Sequence, residues 1–139
     1  MVFLLPLWLT FGLNLLGIGG WTSLFYWFAG VPALFVVLLI LYALVKPRSA
    51  TNGKSHLGII DSVLLTAIYV VVFLHGFFLV DGGDTEASIN SVATKFFGKS
   101  DESIFYSNYL SQIFLVISAL LIIITLAVVI YERLRQPLP

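Results

Sequence analysis

Residues 46–56 read KPRSATNGKSH and form the one long polar break within the first eighty residues. This segment carries three of the seven lysine and arginine residues and has no acidic residue. Short cationic loops beside membrane-spanning helices stay on the cytoplasmic side of the bilayer. We therefore expect this basic loop to be cytoplasmic and to set the direction in which the apolar segments beside it cross the membrane.

The composition is that of an integral membrane protein. Of the 139 residues, 60% are hydrophobic and 10% are charged, whereas about a quarter of the residues in soluble domains are charged. Because a helical span needs roughly 20 residues, the chain has room for three or four spans in a single domain, 1–139, and none for a separate soluble domain. The net charge is zero, so the chain has no excess positive charge to bind the phosphates of a nucleic acid. The lack of cysteine excludes disulfides and thiolate metal sites.

Four apolar segments are predicted to cross the membrane as helices, which gives an all-α membrane protein with a four-transmembrane-helix bundle. They lie at about residues 2–18, 24–45, 58–80 and 104–131. The first segment has neither the basic beginning nor the small-residue cleavage site of a signal peptide, so we expect it to be retained as a span.

Residues 85–97 are predicted to form a short amphipathic helix in the membrane interface, between the third and fourth spans. Apolar side chains recur there at helical spacing, at Ile89, Val92, Phe96 and Phe97. Asp84 or Thr85 is placed to cap the beginning of this helix, and Gly98 is placed to end it. The segment is too short and polar to cross the membrane, so we expect its phenylalanines to dip into the acyl boundary.

The charges of the polar segments predict how the spans are oriented. The basic loop carries +3, whereas residues 81–108 contain five acids and two lysines and so carry −3. Two arginines and one glutamate follow the last span. Because lysine and arginine mark the cytoplasmic side, we expect both termini of a four-span chain to be cytoplasmic. We expect the membrane to be the cell membrane.

The third span contains Asp61 and His75, two ionisable side chains within an apolar run. Fourteen residues separate them, about 21 Å along a helix, so they cannot touch. Ionisable residues at membrane depth are candidates for function. Together with Pro32, which should kink the second span, they are the candidate lining of a transport path. His75 is also the candidate contact for a haem or quinone, and no metal site is expected.

Several other residues are predicted to serve helix packing. In lipid, small side chains permit close approach of helices, and hydroxyls and amides form hydrogen bonds between them. The candidates are Asn14 in the first span, Gly30 and Ala33 in the second, and Ser111, Ser118 and Thr125 in the fourth. The last three stand seven residues apart, which places them on one seam, where we expect their hydroxyls to bond a neighbouring helix.

The sequence shows no nucleophile beside a base, no paired carboxylates and no phosphate-binding glycine motif, so we expect no enzyme activity and no bound cofactor. Three kinds of function remain. They are a non-catalytic accessory subunit that binds other membrane proteins or its own copies, a small oligomeric transporter or pore, and a haem- or quinone-binding anchor that uses His75. The packing seam favours the first, with membrane lipids and membrane protein subunits as partners.

Overall fold

The computed structural model describes residues 4–16, 18, 20–45, 59–82 and 88–135. Within these ranges all regular secondary structure is helical, and the predicted all-α class is confirmed. The one extended pairing there is an isolated antiparallel bridge between Asp81 and Asn90. The basic loop 46–56, on which the predicted orientation depends, lies outside the described residues, as do Asp84 and Thr85.

Five helices form in the part of the chain that the structure describes. Helix α1 (residues 4–15) joins α-helical Leu4–Leu7, π-helical Trp8–Gly12 and α-helical Leu13–Leu15, and α2 (residues 21–45) joins Trp21–Phe25, π-helical Tyr26–Gly30 and Val31–Val45. Helix α3 is Ile59–Phe78, α4 is Val92–Phe97 and α5 is Asp101–Arg135.

The irregularity predicted at Pro32 occurs as the π-helical turn that ends two residues earlier. Proline has no amide hydrogen to donate to the preceding turn, so the regular hydrogen-bond pattern cannot pass through it. In the structure the Val31 amide instead reaches back to the Tyr26 carbonyl, and the wider turn absorbs the mismatch.

The hydrophobic core forms where α1 packs on α3. Helix α1 buries Leu5, Leu9 and Leu13 in one cluster with Ile68 and Val72 of α3. At Gly76 the two helices come very close, because a methyl group placed there would lie 2.7 Å from Leu9 Cδ2 and 2.8 Å from Trp8 Nε1. The bare backbone of Gly76 therefore forms part of the surface on which α1 rests.

Helices α3 and α5 make the most extensive contact, along a buried row of small polar residues on α5. This row consists of Ser107, Ser111, Ser118 and Thr125. The Ser118 and Thr125 hydroxyls donate to the carbonyls of Leu115 and Leu121 in their own helix, both at 2.7 Å. The cross-helix hydrogen bonds expected of these two hydroxyls are therefore absent from the described contacts, because the preceding turn of α5 already supplies an acceptor.

Of the predicted helix over 85–97 the structure describes residues 88–97, and within that range helix α4 covers only Val92–Phe97. Residue Asn90 pairs its backbone with Asp81, so the chain just before α4 is extended and cannot bond helically. The helix begins after Ser91, which forms a capping box with Thr94. It ends at Gly98, as the sequence predicts, because φ there is +100°, a conformation that favours glycine.

Among the described residues, one helix is long and apolar enough to cross a membrane, at Asp101–Tyr131. Two shorter apolar helices lie at Tyr26–Ile40 and Ser62–Phe78. The described residues thus contain one helix that qualifies as a span by both length and apolar character, and the other three predicted spans stay predictions.

Candidate functional site

His75 lies in the last turn of α3 and connects three helices. Its side chain is only 4% exposed. Ring atom Nε2 lies 2.5 Å from the Tyr26 hydroxyl of α2, and Nδ1 lies 2.9 Å from the Ser111 carbonyl of α5. A carbonyl oxygen can only accept. In the neutral ring, therefore, Nδ1 carries the proton, and Nε2 accepts a hydrogen bond from the Tyr26 hydroxyl.

Gly30 allows Tyr26 to reach this position. A methyl group at Gly30 would lie 2.8 Å from Cδ1 of the Tyr26 ring, one turn earlier in the same helix. Gly30 thus makes room for a side chain of its own helix, whereas the sequence predicts that it admits a neighbouring helix. Ala33, the other packing candidate of this helix, is exposed.

A second buried group surrounds Asp81, which lies just beyond the end of α3. The side chain of Asp81 is 2% exposed. Its Oδ2 accepts the Gly20 amide at 2.6 Å, and its Oδ1 accepts the Thr22 amide at 2.9 Å. The first amides of a helix have no partner within that helix and form the positive end of its dipole. Asp81 therefore supplies the cap that the beginning of α2 lacks in its own sequence.

The backbone around Asp81 completes this junction. The Trp21 amide donates to the Gly82 carbonyl at 3.2 Å, and the amides of Asp81 and Asn90 exchange hydrogen bonds of 2.8 and 3.1 Å. A methyl group at Gly20 would lie 2.5 Å from the Gly82 carbonyl oxygen, so only glycine permits this approach. One residue thus joins the end of α3, the beginning of α2 and the segment that leads to α4.

A third group holds α4 in place. The Ser91 hydroxyl donates to the Ser107 hydroxyl of α5 at 3.2 Å. One turn later, the Lys95 ammonium donates to the Leu16 carbonyl at the end of α1. Helix α4 is therefore fastened to α1 and α5, while its Phe96 ring stacks at 6.2 Å on Phe77 of α3.

The described surroundings of the candidate transport residues differ from one another. His75 is buried between Tyr26 and Ser111, whereas Pro32 is exposed on α2, and the side chain of Asp61 lies outside the description. Asn14, a packing candidate, is exposed on α1. In the described residues no group of three or more histidines, cysteines, aspartates or glutamates could hold a metal ion.

The structure does bring a serine to the histidine, which the sequence did not indicate. Ser111 Oγ lies 3.0 Å from Nδ1 of His75. A nucleophilic serine needs a ring nitrogen that can accept its proton. Here Nδ1 donates to the Ser111 carbonyl, and both side chains are buried, so the pair is arranged to join helices and not to attack a substrate. A haem or quinone at His75 would have to displace Tyr26 or Ser111.

Sequence reasoning missed the roles of Tyr26 and Asp81. Tyr26 is part of an aromatic group that is typical of a membrane interface, which explains its position without a specific partner. For Asp81 the sequence does contain a signal. An acid directly follows an apolar segment, and α2 begins after Gly20, which has no side chain to cap it, so a distant carboxylate could serve as the cap.

No protein family model, no curated protein and no solved structure matches this chain.

Proposed function

We propose that this chain is a four-span membrane protein with both termini in the cytoplasm, and that it acts as a non-catalytic subunit by binding another membrane protein through its helices. Its buried polar groups favour a structural use. Among the described residues, the indole nitrogen of Trp8 is the one buried side-chain nitrogen or oxygen that lacks a hydrogen-bond partner. His75 and Asp81 are occupied in joining helices of the same chain.

The observation that carries the proposal is a shallow groove of about 520 Å³ on the exposed face of α3. Its lining side chains are short and recur every four residues in two adjacent rows, at Ser62, Val63, Thr66, Ala67, Val70 and Val71. In lipid, helices associate where small side chains allow their backbones to approach closely. An apolar transmembrane helix of a partner protein fits such a groove.

Filling this groove should break the complex. With a photo-crosslinking residue at position 67 in native membranes, we expect an adduct with a partner of one defined mass. Ala67→Leu should abolish co-purification of that partner in mild detergent, because the larger side chain overfills the contact. The matched variant Ala119→Leu, on the exposed face of α5, should leave it unchanged. An adduct of twice the chain mass would assign the groove to a second copy, and no adduct at 67 would contradict the proposal.

The lengths of the helices support the proposed crossings. Helix α3 has 20 residues, about 30 Å, which matches the hydrocarbon core of a bilayer. Helix α5 has 35 residues, about 52 Å, and so exceeds that thickness by several turns. Helix α1 is shorter, and the first crossing needs residues on either side of those described.

Cysteine labelling tests this topology without interference, because the chain has no native cysteine. We expect Asn52→Cys and Val2→Cys to react with an impermeant maleimide only after the membrane is permeabilised. Glu102→Cys should react in intact cells. Labelling of Asn52→Cys in intact cells would show that the orientation is the reverse of the proposed one. Labelling of Val2→Cys alone in intact cells would show that the chain has three spans.

A further inference from the structure

A half-open hollow of about 900 Å³ lies between the first turns of α5 and the bridged segment around Asp81. One wall is a face of α5, on which Asp101, Ile104 and Asn108 fall within two turns. The opposite wall contains Val80 and Ile89, each next to a residue of the bridge. The bridge joins the two segments of this wall, and the hydrogen bond from Ser91 to Ser107 ties the wall to α5.

The lining of this hollow combines apolar side chains with two opposite charges. Ile104 and Phe105 continue the apolar surface of Val80 and Ile89, whereas Lys99 brings an ammonium group and Asp101 a carboxylate. A few polar groups on a mostly apolar wall are typical of sites for amphipathic ligands.

The hollow also lies at the depth where lipid headgroups are found. Residues 113–130 of α5 contain no charged residue, and Ser118 and Thr125 are their only polar ones. The turns before them extend beyond a hydrocarbon core of about 30 Å. Residues 101–108 of the proposed last span therefore meet the headgroup layer. This step rests on the membrane location in the proposed function, but not on the partner groove of α3.

We infer that this hollow binds the headgroup of a phospholipid that carries both a phosphate and a primary ammonium group, as phosphatidylethanolamine does. Lys99 pairs with the phosphate, and Asp101 accepts hydrogen bonds from the ammonium. The acyl chains lie along Ile104 and Phe105. With an anionic headgroup such as phosphatidylglycerol, Lys99 alone would face two anions, the phosphate and Asp101, so one negative charge in the hollow would stay unbalanced. The choline headgroup has no hydrogen to donate to Asp101.

Native mass spectrometry of the full chain in detergent measures this preference directly. Dioleoyl phosphatidylethanolamine, phosphatidylglycerol and phosphatidylcholine are titrated separately, so that the acyl chains are identical. We expect one molecule of phosphatidylethanolamine to bind about tenfold more tightly than either of the others, the size expected for one hydrogen bond to a charged group. Equal affinity for the three lipids, or binding that does not saturate at one molecule, would overturn the inference.

Adjacent residues of α5 provide matched variants. Asp101→Asn should remove the preference for phosphatidylethanolamine over phosphatidylglycerol, whereas Glu102→Gln, which does not line the hollow, should keep it. Lys99→Gln should weaken binding of all three lipids about tenfold, because each carries the phosphate with which Lys99 pairs. Phe105→Ala should weaken all three lipids and Tyr106→Ala none. If Asp101→Asn and Glu102→Gln have the same effect on binding, or Phe105→Ala and Tyr106→Ala do, the lipid binds elsewhere.

Discussion

Replacing Asp81 with alanine is expected to lower the free energy of unfolding in detergent by about 2–6 kcal/mol. Two partly buried amides that donate to its carboxylate lose their acceptor, and each orphaned donor costs about 1–3 kcal/mol. Those amides belong to Gly20 and Thr22, at the positive end of the α2 dipole. Asp81→Asn should fall between alanine and the native residue, since one of its two side-chain groups still accepts.

The readout that distinguishes this role is local. Hydrogen exchange at the amides of Gly20 and Thr22 should become much faster in Asp81→Ala, because these amides are the donors of the lost bonds. Glu102→Ala removes an exposed carboxylate and should change stability by no more than about 0.5 kcal/mol. Equal stability of the two alanine variants, with slow exchange at both amides, would show that the carboxylate of Asp81 does not cap α2.

Replacing His75 with leucine should have the second large effect, a loss of about 1–3 kcal/mol, because the half-buried Tyr26 hydroxyl loses its acceptor. The exchange of one bulky side chain for another limits any cavity, so most of the loss comes from hydrogen bonds. His75→Gln should lose less, since its amide can both donate and accept.

Two tyrosine variants provide the control for this prediction. Tyr26→Phe should destabilise the protein by about 0.5–1.5 kcal/mol. Tyr109→Phe removes the hydroxyl of an exposed tyrosine and should have almost no effect. Melting curves in detergent measure all four variants, and an unchanged midpoint for His75→Leu would contradict the structural role of the histidine.

The parts of the fold that follow from local signals could be predicted from sequence. Apolar segments of sufficient length predicted helices. The end of α4 at Gly98 was predictable because it depends only on the backbone conformation of that residue. The beginning of α4 could not be found in this way. Ser91 was outside the apolar pattern, and the extended pairing of Asn90 depends on a residue in a different segment.

The contacts at the site were out of reach for a different reason. Tyr26 is separated from His75 by 49 residues, and Asp81 from Gly20 by 61. Periodicity and capping rules describe neighbours within a few turns, and they do not say which distant polar groups meet. Each of these residues also has an adequate local explanation, as an interfacial aromatic or as a polar end to a span, so nothing in the sequence demands a long-range partner.

Whether α2, α3 and α5 are held together through His75 is tested most directly by a double-mutant cycle between Tyr26→Phe and His75→Leu, followed by reversible unfolding in detergent. Side chains that share a hydrogen bond are coupled by about 0.5–3 kcal/mol. We expect a coupling energy in that range, so that the double variant loses less stability than the two single variants added together. Strictly additive losses would contradict a bond between Tyr26 and His75, and with it the joining of the three helices at this residue.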